Sequence, residues 1–449
     1  MSDYMFMLES HLSADQNRVV SQVQRAAAQA NVNLFLTGGA VRDMLGGFPI
    51  RDLDFTVEGN ALKLAKALTK ETGAKPIATD EHRKSVELLF PGGATAEIAM
   101  ARQERHVKPG GRPIVTPATI QEDLRCRDFT INSIALSLNQ ASLGLLLDPN
   151  NGLADLEHHE IRTVYSRALY DDPERILRLL RFRVRFSSTL DERTQQQYEN
   201  ARLEQLEKHI TGRRLFNELS QMAAEANPGD VLQLLEQETL LSLFSPALAG
   251  PKLNLAGFAR LQKAKQLTPV GAELVVNHLA LFIYLLTEKL SPKDKAALVG
   301  ATEMRKSEAE LGAKVAAGAK KLERELKSPK LRKPSQVYQV LSAAPGEQVY
   351  LLYMNTGLRV VQDRIKNYFQ KYLPAALEIT DRQVAASGLD PGTPKFKKTK
   401  EEMIRVRLDA RPKPAPEVPP ETVPGPPAEP GREKTGFPLS GTPRAGHRV

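Results

Sequence analysis

Cysteine is almost absent from this chain, since Cys126 is the only one among 449 residues. A single thiol excludes an intramolecular disulfide framework and a zinc cluster built on cysteines, and it suits a reducing compartment. Long apolar runs are also missing. The stretch from Leu279 to Leu286 is far too short to cross a bilayer and predicts a buried helix. Residues 1–10 lack the basic lead and apolar run of a signal peptide. We therefore expect a cytoplasmic protein with no membrane partner and no disulfide partner.

Positive charge outweighs negative charge, because 62 Lys and Arg residues stand against 53 Asp and Glu residues and give a formal net charge of +9. This balance suits a polyanionic partner, and the backbone of RNA is the obvious candidate. Basic residues concentrate in segments 312–333 and 395–400. Both are candidate surfaces for phosphate contacts, and for the first segment a solvated helical face is the alternative.

The order of strand and helix signals divides the chain. Ser13 is placed to cap a first helix, a short apolar strand follows at 34–36, and strands and helices alternate to about Leu138. From Asp155 onward strand signals nearly vanish, and helical patterns continue to about Tyr372. This order predicts an α+β protein in which a small mixed-sheet head precedes an all-helical neck, body and tail.

We divide the chain accordingly into a head at 1–150, a helical neck at 151–225, a helical body and tail at 226–410, and a last segment at 411–449. In the last segment 11 of 39 residues are proline. Such a composition cannot bury enough apolar surface to form a core, so we expect this segment to be disordered.

Asp52 and Asp54 form the most informative pattern for function. Side chains two positions apart in a strand point to the same face, so both carboxylates can converge on one site while Leu53 and Phe55 face the core. Hard oxygen ligands of this kind suit Mg²⁺. The pair alone is weak evidence, because Asp-x-Asp also occurs on solvated strands.

A glycine-rich turn precedes the two aspartates. Gly38 and Gly39 follow the apolar strand and let backbone N–H groups approach phosphates before a helix whose N-terminus favours anions. Arg42, on the same helix, is placed to clamp a phosphate oxygen. A Gly-Gly pair is usually only a turn, but together with the aspartates it predicts a site for metal and triphosphate.

The order strand, Gly-Gly, Arg-Asp and Asp-x-Asp resembles the active-site signature of the DNA polymerase beta nucleotidyltransferase superfamily. Within it, the chain resembles the class II transfer-RNA nucleotidyltransferases, which are the CCA-adding enzymes and their bacterial poly(A) polymerase relatives. Four further segments appear in the family's order, at 123–132, 148–156, 170–178 and 208–219.

This resemblance implies a reaction. A hydroxyl at the 3′ end of transfer RNA, presented with its acceptor arm, attacks ATP or CTP and releases pyrophosphate. Two divalent ions, about 3.5 to 4 Å apart, are expected to take part. By the resemblance Asp52 and Asp54 hold these metals, and Mg²⁺ is the expected cofactor.

The segment at 123–132 is similar to the family's second motif. The resemblance implies that Arg127, Asp128 and Asn132 contact the nucleotide. Family members usually carry two adjacent arginines before this aspartate, whereas here Cys126 takes the first place and Arg125 precedes it. The role of Arg125 therefore stays open, and we expect Cys126 to be an ordinary residue near the nucleotide.

The segment at 170–178 is similar to the motif that reads the base. If one helix holds Asp171, Asp172 and Arg175, their charged groups lie on the same face of that helix. A carboxylate accepts from an exocyclic amine, and arginine donates to ring nitrogen or carbonyl oxygen, so the resemblance implies recognition of C and A. An exposed helical ion pair is the alternative. Arg178 joins the nucleotide-binding set, with a structural role as its alternative.

Two further assignments are weaker. Glu97 occupies the place where many relatives carry a third catalytic carboxylate, and a solvated strand position is the alternative. In the segment at 208–219, Arg213 and Arg214 contact RNA or serve structure, and we expect the structural role.

Three functions remain open from the sequence. The leading one is addition of the 3′-terminal CCA to transfer RNA, in full or only as CC or A. The second is poly(A) addition to RNA in general. The third is an RNA-binding protein without catalysis, against which the intact Asp52, Asp54, Asp172 and Arg175 argue.

Overall fold

The computed structural model describes residues 3–272 and 274–410. The head contains two N-terminal helices, a mixed sheet and short connecting elements. Its elements in chain order are α1 Asp3–His11, α2 Ala14–Gln29, β1 Asn33–Thr37, α3 Gly38–Leu45, β2 Leu53–Glu58, α4 Ala61–Thr72, β3 Lys75–Asp80, β4 Ser85–Leu89, β5 Thr95–Met100, β6 Arg102–Arg105, β7 Ile114–Pro117, α5 Ile120–Leu124, β8 Ala135–Ser137 and β9 Leu146–Leu147.

The beginning of α2 follows from its local sequence. The Ser13 side chain accepts from the Gln16 backbone N–H, and the Gln16 side chain accepts from the Ser13 N–H, which satisfies two donors that a helix start leaves open. Apolar residues at helical spacing, among them Val19 and Val23, are buried. The predicted cap at Ser13 is therefore confirmed, but the helix it begins is the second one, because α1 precedes it.

Seven strands form one mixed sheet in the order β3-β4-β5-β2-β1-β8-β9. The pair β2 and β5 is parallel, and the other neighbouring pairs are antiparallel. The strands β6 and β7 form a separate antiparallel hairpin. The two acidic strands of the predicted site, β2 and β5, thus lie side by side in the middle of the sheet.

Helices dominate the rest of the described chain, as predicted. The elements are α6 Gly152–Glu157, β10 Glu160–Ile161, α7 Ala168–Asp171, α8 Glu174–Phe186, β11 Thr189–Leu190, α9 Glu192–Leu203, α10 Gly212–Ala223, α11 Pro228–Gln237, α12 Leu255–Lys265, α13 His278–Thr287, α14 Pro292–Ala301, α15 Lys306–Ala309, α16 Leu311–Leu326, α17 Pro334–Ala343, α18 Gly346–Asn355, α19 Arg359–Asn367, α20 Leu373–Leu377, α21 Asp381–Ala385 and α22 Pro394–Asp409.

Two large apolar clusters hold these elements together. One lies inside the head between α2, α4 and the sheet. The other fills the helical part, and it also takes in Phe129 and Ile131 from the segment before β8. Since these two residues belong to the predicted second motif, that motif is anchored in the core of the helices.

The observed fold confirms the α+β class and the mixed-sheet head followed by helices. The apolar stretch 279–286 lies in the mostly buried helix α13. Within residues 3–272 and 274–410, no helix has the length and apolarity needed to cross a membrane. The boundaries at 150 and 225 stay predictions, and the predicted disordered segment 411–449 lies outside the described residues.

Candidate active site

The two aspartates of the first motif line one cavity of about 420 Å³. Asp54 lies in β2, and Asp52 stands just before its first residue. Leu53 and Phe55 are buried on the other face of the strand, at 0% and 1% exposure. The alternation of side chains along a strand explains this division, and the expected convergence of the two carboxylates is observed.

Two glutamates extend this acidic surface across the sheet. Glu97 in β5 pairs with Asp54, and Glu87 in β4 pairs with Glu97, so three carboxylates stand at one level on three neighbouring strands. Both glutamates line the same cavity. The structure thus brings Glu97 to the aspartates. The sequence analysis did not assign Glu87 to the site. Its position between two apolar residues, Val86 and Leu88, places it on the opposite face of the strand from theirs.

The environment of these carboxylates disfavours their charge. Burial, followed by repulsion from Glu97 and Asp52, raises the pKa of Asp54 to about 7 against the opposing effect of Arg127. Burial also raises the pKa of Asp52, although Arg51 opposes the shift. A bound cation would compensate such charges.

The donor set fits a hard divalent cation, because carboxylate oxygens are the ligands such ions prefer. In the described ranges, no three His, Cys, Asp or Glu side chains form a ready metal-binding group. Asp52 and Asp54 would therefore supply only part of the coordination shell of such an ion, and other oxygen ligands would have to complete it.

The glycine turn lies directly beside Asp54. Gly38 has a φ of +62°, a conformation that favours glycine, and it begins α3. A Cβ atom at Gly38 would lie 3.1 Å from Nη1 of Arg127 and 3.3 Å from Oδ2 of Asp54. A Cβ atom at Gly39 would lie 3.4 Å from the same carboxylate oxygen. The absence of side chains therefore keeps a helix N-terminus open next to the carboxylate and the Arg127 guanidinium.

Arg127 is positioned by its own partners. Its Nε and Nη2 atoms donate to Oδ2 of Asp123 at 2.9 and 2.8 Å, and Nη2 also donates to Oγ1 of Thr56 at 3.2 Å. These contacts direct Nη1 toward the glycine turn. Sequence reasoning missed Asp123, which lies four residues before Arg127 near the end of α5.

Arg42 occupies a different environment from the one expected. It is 5% exposed, and its three nitrogens donate to Oδ1 of Asp43 and to Oδ1 of Asn132. Its guanidinium also lies 5.1 Å from the ring centres of Phe182 and Phe186. Arg42 thus connects α3 to α8, and its Nη2 atom also lies beside the glycine turn, 3.6 Å from the position of a Cβ atom at Gly39. Its contact with a phosphate stays a prediction.

Asp128 and Asn132 are likewise engaged with protein groups. Asp128 accepts from its neighbour Phe129, from Nδ2 of Asn132 at 3.0 Å and from Nη1 of Arg178 at 2.8 Å. Burial opposes the charge of Asp128, but Arg178 and Arg175 outweigh it and hold its pKa well below the usual range. Asp128 and Asn132, which are buried, thus form one network with the partly exposed Arg178.

The fourth motif, which is the base-reading segment at 170–178, departs from its predicted geometry. The helix α7 ends at Asp171, and Asp172 is extended with φ −132° and ψ 91°. The expectation that Asp171, Asp172 and Arg175 share one helix is wrong, because the residue before a proline is disfavoured in the helical region and Pro173 follows.

The structure nevertheless brings two of these residues together. Nε of Arg175 lies 3.9 Å from Oδ2 of Asp172, and Nη1 of Arg175 donates to the Tyr165 hydroxyl at 3.1 Å. Asp171 instead faces Arg167, at 3.5 Å. Asp172 and Arg175 therefore remain neighbours, whereas Asp171 belongs to a separate contact.

The segment at 208–219 contacts the segment at 170–178. Nη1 of Arg214 donates to Oδ1 of Asp172 at 2.6 Å, and its Nε lies 3.5 Å from Glu174. Arg213 instead forms two hydrogen bonds with Glu308, at 2.8 and 2.9 Å. The link between Arg214 and Asp172 was missed, because residues 42 positions apart give no local signal.

A mixed sheet with neighbouring acidic strands, a glycine turn at a helix start and a following helical part are the features expected from the resemblance to the nucleotidyltransferases. Residues 34–162 match the family model of the poly A polymerase head domain. Over these residues the chain is similar to the head domain of the poly A polymerase family, in agreement with the resemblance seen in the sequence.

Similar proteins agree in class and differ in named activity. The chain is 37% identical over 196 residues to the A-adding tRNA nucleotidyltransferase of Halalkalibacterium halodurans, covering 43% of this chain and 45% of that protein. It is 34% identical over 209 residues to the CC-adding enzyme of Deinococcus radiodurans, covering 46% and 54%. The chain therefore spans about half the length of these curated relatives.

A solved structure extends the likeness over most of the chain. The apo form of a CCA-adding enzyme is similar with a TM-score of 0.54 and 25% sequence identity, and the match covers 92% of this chain and 96% of the solved one. The helical part as well as the head therefore has the fold of these enzymes.

Proposed function

We propose that the chain adds all or part of the 3′-terminal CCA to transfer RNA, with CTP and ATP as nucleotide donors. The observation that carries this proposal is the cavity in which Asp52, Asp54 and Glu97 face one another beside the turn at Gly38. Unpaired carboxylates next to an open helix N-terminus suit a bound metal and a polyphosphate at the same place.

In the proposed reaction, the 3′-hydroxyl oxygen of the RNA forms a bond to the α-phosphorus of the bound nucleotide. The bond from that phosphorus to the bridging oxygen breaks, and pyrophosphate leaves. The backbone N–H groups after Gly38 and the Nη1 atom of Arg127 are placed to bind the phosphates, because both lie beside the Asp54 carboxylate. Hydrogen bonds to the Asp123 carboxylate hold the Arg127 guanidinium in this orientation.

Members of this family generally use divalent metal ions. We propose Mg²⁺, held by Asp52 and Asp54, with Glu97 as the third carboxylate of the site. When bound, this cofactor lowers the pKa of the attacking hydroxyl and neutralises charge on the leaving pyrophosphate. The raised pKa of Asp54 supports the assignment, since burial and repulsion from Glu97 and Asp52 outweigh the attraction of Arg127 and Arg42.

Asp172 and Arg175 are proposed to read the base. Their side chains stand 3.9 Å apart, and Arg214 and Tyr165 hold them from either side. Partial addition is a specific second candidate, because the relatives reported above are named as an A-adding and a CC-adding enzyme.

The RNA is proposed to lie against basic faces of the helical part. The helix α16 carries exposed Lys320 and Lys321, and α22 carries exposed Lys395, Lys397 and Lys398. Their charge suits the phosphates of transfer RNA. A reducing cytoplasm, which the single cysteine favours, is the proposed location.

One experiment tests this function. The purified protein with Mg²⁺ is given transfer RNA ending at the discriminator base, at C or at CC, and an unrelated RNA, each with CTP, ATP or both. Two cytidines and one adenosine on the shortest RNA establish full CCA addition. Only A on CC ends, or only C on shorter ends, establishes partial addition. Long adenosine tails on any RNA contradict the proposal, and no incorporation rejects it.

A further inference from the structure

The segment that precedes β2 packs against the neck and places Arg51 at the junction between the head and the helical part. The ring centre of Phe48 lies 5.5 Å from that of Phe186 in α8, edge to face. Three residues later, Nη2 of Arg51 donates to Oε2 of Glu225, just beyond the end of α10, at 3.5 Å. Since Arg51 directly precedes Asp52, this junction lies beside the acidic cavity.

Positive charge exceeds negative charge at this junction. The carboxylate of Glu225, which is 3% exposed, also accepts from Nη1 of Arg181 at 3.0 Å and lies 3.8 Å from Nη1 of Arg185. Arg51 is thus the third guanidinium around one carboxylate. Burial, followed by repulsion from Arg42 and then from Arg51, lowers the pKa of Arg185 to about 10 despite its two acidic partners.

Lys265, the last residue of α12, adds a cation without an acidic partner. Within the described part of the chain, its ammonium forms no hydrogen bond and no ion pair. Burial and then the charge of Arg51 lower the pKa of Lys265. Burial, followed by repulsion from the same two cations, lowers the pKa of His278 at the start of α13, although Glu347 opposes this shift. A partly buried cation next to another cation is available to an anion.

Arg51 and Lys265, the junction cations, are open to a ligand and close to the acidic cavity. The Arg51 side chain is 36% exposed, and Lys265 is partly exposed. Gln221 of α10 lines the acidic cavity, and Glu225, the partner of Arg51, follows four residues later. Four residues make about one helical turn, or about 6 Å along the axis. The junction cations therefore lie about one turn from the wall that α10 gives to the cavity.

The place of the junction cations relative to the two reactants indicates which anion they take. The phosphates of the nucleotide are proposed to lie at Gly38 and Arg127, beside Asp54. Asp52 is the aspartate next to Arg51. The RNA presents its 3′-hydroxyl to the two aspartates, and its own nearest phosphate is one ribose away from that hydroxyl. That phosphate therefore falls on the side of the junction cations.

We propose that Arg51 and Lys265 bind the last phosphodiester of the RNA and thereby hold its 3′-hydroxyl at Asp52 and Asp54. Each phosphodiester carries one negative charge, and arginine and lysine are the side chains that bind it. This inference rests on the proposed function and adds to it a binding site for the RNA terminus, built from residues to which the resemblance assigns no role.

The test compares two transfer RNAs that end at the discriminator base, one with a natural phosphodiester and one with an uncharged methylphosphonate at the last linkage. The dissociation constant of each RNA is measured by fluorescence anisotropy, with Mg²⁺ and without nucleotide, for the unaltered protein, Lys265→Gln and Lys263→Gln. Lys263 is a matched control, because it is exposed on the same helix and, two positions away, lies on the opposite side of that helix.

We expect the uncharged linkage to weaken binding to the unaltered protein by about tenfold, and Lys265→Gln to weaken binding of the natural RNA by about three- to tenfold. Lys265→Gln should bind the uncharged RNA as tightly as the unaltered protein does, because the contact is already lost. Lys263→Gln should behave like the unaltered protein, and KM for CTP should be unchanged in Lys265→Gln. If Lys265→Gln does not fold, Arg51→Gln takes its place.

Three results overturn the inference: equal binding of both RNAs by the unaltered protein, an equal effect of Lys265→Gln on both RNAs, or a raised KM for CTP, which would assign the junction cations to the nucleotide. Failure of the proposed function is seen separately, as no incorporation of CTP or ATP by the unaltered protein, since the binding measurement needs no reaction.

Discussion

Asp54 is partly buried and Asp128 is buried, and their surroundings have opposite effects on the two carboxylates. Asp54 lies among carboxylates, and burial with Glu97 and Asp52 raises its pKa to about 7. Asp128 accepts from Asn132 and Arg178, and its pKa is held well below the usual range despite burial. A buried charge with partners holds the structure together, whereas a buried charge without them costs stability and is available to a ligand.

The same contrast holds for the charged side chains around each of these two aspartates. On the neck side, Glu218 is 1% exposed and lies within ion-pair distance of both Arg178 and Arg181. On the head side, Glu87 faces Glu97 across the strands, and burial raises the pKa of Glu87. The glutamates near Asp54 thus face other carboxylates, whereas Glu218 in the neck faces arginines.

The largest effect on activity is expected from Asp54→Asn. Because the carboxylate would hold the cofactor, kcat/KM for nucleotide addition should fall by about 10²- to 10³-fold, the range for losing one group that stabilises transition-state charge. The free energy of unfolding should stay equal or rise, since the substitution removes a charge that burial disfavours. Single-turnover addition and urea unfolding measure the two quantities. RNA binding should be retained, and full activity of this variant would break the assignment.

The largest effect on stability is expected from Glu218→Gln. Removal of this charge leaves the Arg181 guanidinium, which is 4% exposed, without its main partner, so the free energy of unfolding should fall by about 3 kcal/mol. Urea unfolding provides the measurement.

The matched control for that variant is Glu402→Gln. Glu402 pairs with Arg405 on the exposed surface of α22, where we expect no measurable change in stability. Equal losses in the two variants would contradict the distinction between buried and exposed pairs.

A smaller effect is expected at the glycine turn. In Gly38→Ala the new Cβ atom would press against Arg127 and Asp54, and KM for nucleotides should rise by about tenfold, because small displacements at a reacting centre are costly. Gly47→Ala is the matched control, since Gly47 has a similar φ of +72° but no atom within 4 Å of the added Cβ. Steady-state kinetics that change equally in both variants would show backbone strain to be the only cause.

The smallest effect is expected from Asp172→Ala, and it concerns base choice. Loss of an acceptor for the exocyclic amine should reduce the preference for CTP and ATP over UTP by about three- to tenfold. Competition between nucleotides at limiting enzyme measures this ratio. Glu308→Ala is the control, because it removes the neighbouring pair with Arg213 without touching Asp172. A uniform loss for every nucleotide would argue against a role in base reading.

Local patterns explain which parts of the fold and site were predicted. The two aspartates, the glycine turn and the Ser13 cap each depend on residues close in sequence, and the structure has them as expected. Predictions that assumed a geometry over several residues were less successful. The break at Asp172 shows this, since the effect of Pro173 on the preceding residue outweighed the helical pattern.

Side-chain partners across the chain were beyond local prediction. The sequence indicated that Arg42, Asp128, Asn132 and Arg178 belong near the nucleotide, but it gave no sign that they bind one another. Arg214 and Asp172 meet over 42 positions, which no periodicity encodes.

By itself, the sequence determined the class of fold, the two metal-binding candidates and the place of the glycine turn, because strand alternation, helix capping and glycine conformations act over a few residues. Only the tertiary structure decided which buried charges are paired and which are left for a ligand. It added Glu87 to the acidic cavity and brought Arg42 into a hydrogen bond with Asn132. The reason is physical: the pKa and the availability of a group depend on all atoms around it, and most of those atoms come from distant parts of the chain.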